Sequence, residues 1–159
     1  MCELTAYHEA GHAMMAIMVG AKVHSLTISP DRDDGPLRTG DAQILWPRRA
    51  SDPRRLCWQQ ILVALAGPVA EMIYRGEPLH PAGVAEWGQD WQNAWEAAEQ
   101  LAPEPQMRMQ ILERQAVQLY HLLKDDRNWA ALAAIVDELL AHELLEGSEV
   151  VEIMDQWLG

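Results

Sequence analysis

Cysteine is nearly absent from this 159-residue chain: only Cys2 and Cys57 occur, far apart and at no metal-ligand spacing. A disulfide framework is therefore excluded, and none is needed, since a chain of this length can bury about two-thirds of its unfolded surface. Two free thiols in a reducing compartment are expected. Long apolar runs are missing as well. The most apolar stretches, Ala13–Ala21 and Ile61–Ala70, are too short to cross a bilayer, and no basic region precedes an apolar one as in a signal peptide. The expectation is a soluble, cytoplasmic protein with no membrane partner. Positive charge is scarce in the second half. Residues 1–76 hold eight acidic and eight basic side chains, whereas residues 77–159 hold sixteen and four, so the second half carries the whole net charge of −12. That half repels nucleic acid and acidic lipid, and neither is expected as a partner. The one basic cluster, Arg48, Arg49, Arg54 and Arg55, lies in a proline-containing stretch and reads as a solvated face. With no internal repeat and no low-complexity tract, the length fits one domain over residues 1–159.

What remains is largely helical pattern. Thr5 is a suitable N-cap for a helix over Ala6–Val19, which Gly20 ends. Lys22–Ser29 is rich in β-branched residues and stops at Pro30; a turn-rich loop follows over Asp31–Gly40, then a second short strand over Asp41–Trp46. Two strands around a loop predict a β-ribbon. Leu56–Tyr74 is apolar on nearly every face, the mark of a helix buried inside a domain, with Pro68 expected to kink it. A loop is expected over Gly76–Gly88. Helical runs follow over Gln89–Leu101, Glu104–Leu123, Trp129–Leu145 and Glu149–Trp157, the last reset by Gly147-Ser148. The expected fold class is mainly α, an array of about six helices with a small two-stranded ribbon.

The chemistry lies in His8-Glu9-Ala10-Gly11-His12. Histidines four apart on a helix project from one face, one turn above the other, and can take two corners of a zinc tetrahedron. Glu9 points to the side of that pair, where it can reach an activated water without ligating the metal, as a general base must. A catalytic zinc takes a third protein ligand and keeps a fourth position open. Met15 and Met18 hold the places of the glycine and the third histidine of the extended pattern on the same helix, so that ligand comes from elsewhere.

Two acids are out of character with their surroundings. Glu71 lies on the small-residue side of the buried helix, near Ala64 and Gly67, where the zinc helix could pack closely. Asp90 lies at the start of the next helix, at the edge of the stripe formed by Trp87, Trp91, Ala94, Ala98 and Leu101. Spacing alone does not choose between them. Trp87, Trp91 and Trp95 read as core packing rather than a pocket wall, and Met14, Met15 and Met18 as core filler. His24, His80, His121 and His142 have no spacing that suggests a second metal site.

In order along the chain, several segments resemble the peptidase domain of the FtsH family of membrane-bound AAA proteases. TAYHEAGHA (Thr5–Ala13) is similar to that family's zinc helix, and VHSLTISP (Val23–Pro30) with GDAQILWP (Gly40–Pro47) to its strand pair. ILVALAGPVAEMIYRG (Ile61–Gly76) resembles its alanine-rich buried helix, and Gln89-Asp90 followed by Ala97-Ala98 the segment that supplies its third ligand. The tail from Arg127 to Met154, with HELLEGSEVVEIM, resembles its closing helices. The resemblance implies zinc, one per chain, held by His8, His12 and Asp90, with Glu9 as catalytic base. It makes Glu71 a carboxylate that orients a histidine ligand, the alternative third ligand otherwise. It also implies that the strand Asp41–Trp46 is an edge to which a peptide substrate adds as a further strand. The sequence departs from the family at Pro68, where an arginine is expected. It departs again at Ala85-Glu86-Trp87-Gly88-Gln89, which replaces a Ser-Gly-Ala-x-Asn run, and in the short connection from Leu101 to Gln110.

These residues carry no ATPase module and no membrane anchor. The expected function is accordingly an ATP-independent zinc metallopeptidase acting on peptides or unfolded protein segments; the sequence leaves open whether it forms a homo-oligomer or has a separate ATPase partner. The alternative is a non-catalytic zinc-binding interaction module derived from such a peptidase. A zinc hydrolase acting on a non-peptide amide would use the same site.

Overall fold

The computed structural model describes residues 2–29 and 40–159. The turn-rich loop expected over Asp31–Gly40 lies, but for Gly40, outside the described residues.

Helix α1 (Cys2–Met18) begins earlier than the sequence suggests, and Thr5 sits inside it rather than capping it. Nothing between Cys2 and Leu4 breaks a helix, and Glu3 in the first turn suits the positive end of the helix dipole. The end falls where expected: Gly20 takes a left-handed φ of 87° and its N–H returns to the Ile17 carbonyl. Helix α2 (Pro53–Arg75) also starts a turn early. Asp52 accepts the Arg55 N–H at 3.2 Å and Pro53 holds the first helical position, a cap and start that the apolar pattern from Leu56 onward does not display. The helix runs through Pro68 and ends on left-handed Gly76. It is a longer apolar element than the run Ile61–Ala70 implies, and is long and apolar enough to cross a membrane, with a mean hydropathy of 1.4 over its most apolar window. Of that window, 67% is buried inside the domain.

Close contact between α1 and α2 decides where the functional side chains meet. Ala6, Ala10, Ala13 and Ala16 on α1 and Ala66 and Ala70 on α2 have no exposure at all. A side chain at Gly11 would lie 2.7 Å from the Ala66 carbonyl oxygen and 2.8 Å from the Ala70 methyl, so the two backbones touch. Around this pair pack α3 (Gly88–Ala98), α4 (Pro105–Lys124), α5 (Asp126–His142) and α6 (Gly147–Leu158). One core joins Ile61 and Leu65 to Leu112, Leu119, Leu132 and Ile135. Two short 3-10 turns, Pro81–Gly83 and Ala85–Trp87, lead into α3.

The expected two-stranded ribbon is corrected to a three-stranded antiparallel sheet in the order β2-β1-β3, formed by β1 (Lys22–Thr27), β2 (Asp41–Leu45) and β3 (Leu144–Glu146). Residues Leu144 and Leu145 had the periodicity of a helix end. The helix stops instead at Glu143, which takes a left-handed φ of 64° and donates its N–H to the Leu139 carbonyl. Leu145 then pairs with Leu26 in register, and both are buried, so pairing with the sheet prevails over continued helix. The chain turns directly into α6 at Gly147, where any side chain would lie 1.7 Å from the Val23 carbonyl oxygen. A reciprocal cap between Glu146 and Glu149 secures that start. The sheet order leaves β2 at one edge, among the described residues.

Candidate metal centre

His8 and His12 stand one turn apart on α1, their ring centroids 4.9 Å apart and their planes at 77°. Each ring is anchored through Nδ1. His12 Nδ1–H donates to the Val63 carbonyl of α2 at 2.6 Å, and His8 Nδ1–H donates to Glu71 Oε2 at 3.0 Å. Both Nε2 atoms therefore face the same way, toward one carboxylate. Asp90, in the first turn of α3, places Oδ2 2.7 Å from His8 Nε2 and Oδ1 3.3 Å from His12 Nε2. The positive end of the α3 dipole favours a carboxylate there. One donor atom each from His8, His12 and Asp90 lies within 4.8 Å of the others, the one such grouping among the described residues. Ligand atoms around a tetrahedral zinc stand about 3.3 Å apart, so two imidazoles and a carboxylate at this spacing fit a divalent cation. The donor set does not select zinc over other divalent metals.

The ring positions depend on a missing side chain. A Cβ at Gly67 would lie 2.3 Å from His12 Nε2, so only glycine leaves room for the imidazole. Gly67→Ala is expected to tilt His12 away from Asp90 and weaken zinc binding by at least the roughly 10- to 100-fold typical of losing a ligand's supporting contacts. Zinc titration against a competing chelator measures it.

Glu71 is not one of the grouped ligands. Its Oε2 accepts from both His8 Nδ1 and the buried Trp87 Nε1, and Arg75 Nη2 lies 3.2 Å from Oε1. Burial would raise its pKa, but the bonds from His8 and Trp87 override that and hold the carboxyl below its usual range. Asp90 behaves alike: burial opposes its charge, and His12 and His8 more than compensate, so it stays ionised well below the usual carboxylate range. Burial alone would lower the His8 pKa, yet the bonds to Asp90 and Glu71 raise it to about 10. His12 is raised as well, with Asp90 outweighing burial. His8 Nε2 meets Asp90 Oδ2 at 2.7 Å, and a divalent ion bound by these atoms would take the place of a proton shared between them.

Glu9 projects into the same cleft. Burial pushes its pKa up, and the two histidines only partly offset this. A carboxyl whose pKa is raised takes up a proton more readily than a free one. Gly40 packs beside it: a Cβ there would lie 2.6 Å from the Thr5 methyl and 3.0 Å from Glu9 Cγ. The cleft has a volume of about 1590 Å³ and is bordered by His8, Glu9, His12 and Asp90 on one side and by β2 on the other.

The structure thus brings His8, His12 and Asp90 together, sets Glu71 behind His8, and puts Glu9 beside them. Sequence reasoning missed Val63, whose contribution is a backbone carbonyl and leaves no side-chain signal. It noticed Gly67 only as a small residue near Glu71, whereas its contact is with His12. Trp87 is buried as core packing requires, 1% exposed, and in addition borders the cleft and bonds to Glu71, while Trp91 and Trp95 pack against the core without lining it. Met14 and Met15 are core residues. Cys57 is a buried free thiol. Arg48, Arg49, Arg54 and Arg55 are exposed. No protein-family model matches the chain, and no curated protein matches it.

Proposed function

We propose that this chain is a zinc metallopeptidase of the kind its resemblance to the FtsH peptidase domain implies, working on peptides or unfolded segments without ATP. One observation carries the reading: both imidazoles are fixed through Nδ1 with their Nε2 atoms aimed at Asp90, and Glu9 stands beside them in a cleft bordered by a sheet edge. His8, His12 and Asp90 would hold the ion. Zinc bound there would acidify water and polarise a scissile carbonyl.

The chain's own residues do the rest. An extended peptide pairs with the outer strand β2, which aligns its backbone along the cleft. Glu9 takes the proton of the attacking water and returns it to the departing amine. Glu71 and the Val63 carbonyl keep both histidines in the tautomer that presents Nε2.

The rival reading, a zinc clasp in an interaction module, requires a fourth protein ligand. Glu71, the acid the sequence offered as an alternative ligand, sits behind His8 with its two oxygens engaged by His8, Trp87 and Arg75. That supports an open position and hence catalysis. The test is hydrolysis of a fluorogenic peptide library and of an unfolded protein by the zinc-loaded chain, without ATP. Cleavage abolished by chelator and restored by zinc is the expected result. A zinc-loaded chain that cleaves nothing, yet retains a partner protein stably, would favour the clasp.

A further inference from the structure

We propose that Trp87 is a positioning residue of the metal centre, acting through Glu71; the inference rests on the metal-site reading above. The indole is almost completely enclosed, 1% exposed, and its one polar atom donates to Glu71 Oε2. That oxygen is the same one that accepts from His8 Nδ1 at 3.0 Å. A carboxylate oxygen shared by two N–H donors is fixed in direction by both, so the indole sets the line along which Glu71 meets the imidazole. Arg75 steadies only the other oxygen, at 3.2 Å, and its side chain is partly in solvent.

Trp87 has a second attachment to the site. It ends the 3-10 turn Ala85–Trp87, with its N–H bonded to the Val84 carbonyl, and α3 begins at the next residue. Asp90 follows in the first turn of α3. A single buried side chain therefore ties the helix that bears Asp90 to the carboxylate behind His8, so ligands separated by 82 residues in sequence are held in one frame. His12 is outside this frame, because its Nδ1 is anchored by Val63. The other tryptophans at helical spacing do something else: Trp95 lies under the Arg108 guanidinium at 4.7 Å and Trp91 lies near His80.

The experiment is zinc titration of the full chain against a chromophoric chelator for the wild type, Trp87→Phe, Glu71→Gln and the double variant. Phenylalanine keeps an aromatic ring and removes the N–H. Trp87→Phe is expected to weaken zinc binding about 10- to 100-fold, as loss of a ligand's orienting partner does. In the Glu71→Gln background the same change should cost no more than about 3-fold, because residues acting through one another are not additive. Site-specific replacement of Trp87 by benzothienylalanine, which exchanges only the N–H for sulfur, gives the same comparison should phenylalanine unsettle the fold. Wild-type affinity in either variant overturns the proposal, as do effects that multiply in full in the double variant, which would mark Trp87 as packing alone. A wild-type chain that binds no zinc overturns this inference and the metal-site reading together.

Discussion

Glu9→Gln should bind zinc as the wild type does and lose peptide hydrolysis by about 10²- to 10⁴-fold, the usual contribution of a general base. Glutamine keeps the shape and hydrogen-bonding reach of the side chain but cannot accept a proton. Glu9 is not among the ligands grouped around His8, His12 and Asp90, so metal affinity has no reason to fall with it. Stability should not fall either. Burial already disfavours the charged form of Glu9, and a neutral amide removes that penalty. Steady-state hydrolysis and zinc content, measured on the same preparation, separate the two effects. Full turnover in the variant would remove Glu9 from the mechanism.

Asp90→Ala carries the second large effect: zinc binding should fall by roughly 10³-fold or more, since a three-ligand site loses its only anionic ligand. The apo-protein should suffer too. Asp90 spans both imidazoles at 2.7 and 3.3 Å, and it is the charge that does most to raise the His12 pKa. Without it, two neighbouring buried imidazoles lose their counter-charge, and His12 in particular should revert toward the neutral form that burial favours. Thermal unfolding with and without zinc measures both losses. The zinc-induced rise in melting temperature should vanish in this variant.

The same coupling fixes a pH dependence. Burial opposes the charge on His8, and its bonds to Asp90 and Glu71 outweigh burial and raise its pKa on folding from the ordinary 6.5 to about 10. Its contribution to the stability of the apo-protein is therefore complete below pH 6.5 and is lost as pH rises toward 10. Asp90 runs the other way. Its pKa is lowered from 3.8, so its contribution is present above that value and is lost as pH falls below it. Zinc requires both Nε2 atoms free of protons, so its affinity should climb across the window in which the apo-protein weakens. Melting curves in chelator-buffered zinc at pH 6.5 and above should show the gap between loaded and apo-protein widening.

The histidine pair was legible because a four-residue spacing has one meaning on a helix: His8 and His12 must share a face. The pairing of α1 with α2 was legible for a similar reason, since Gly67, Ala64 and their neighbours mark a surface that only a close partner can cover. Glu71 and Asp90 were recognisable as acids in apolar company. Spacing did not divide their labour, which only the resemblance assigned, because it depends on which oxygen meets which nitrogen across α2 and α3. The third strand was hidden for a different reason. Leu144 and Leu145 fit the helical period of α5, and only the sheet edge offered by β1 gives them a better place. Helix starts at Cys2 and Pro53 lay outside the apolar patterns that announce the helices, where local capping and an unbroken first turn decide.

Zinc-edge X-ray absorption on the wild-type chain loaded with one equivalent of zinc tests the central claim most directly. The expected spectrum shows one zinc bound by two imidazoles with oxygen completing the set, no sulfur, and a smaller oxygen contribution or no bound zinc in Asp90→Ala. Sulfur from a cysteine, a single imidazole, or an unchanged spectrum in Asp90→Ala would contradict the site formed by His8, His12 and Asp90.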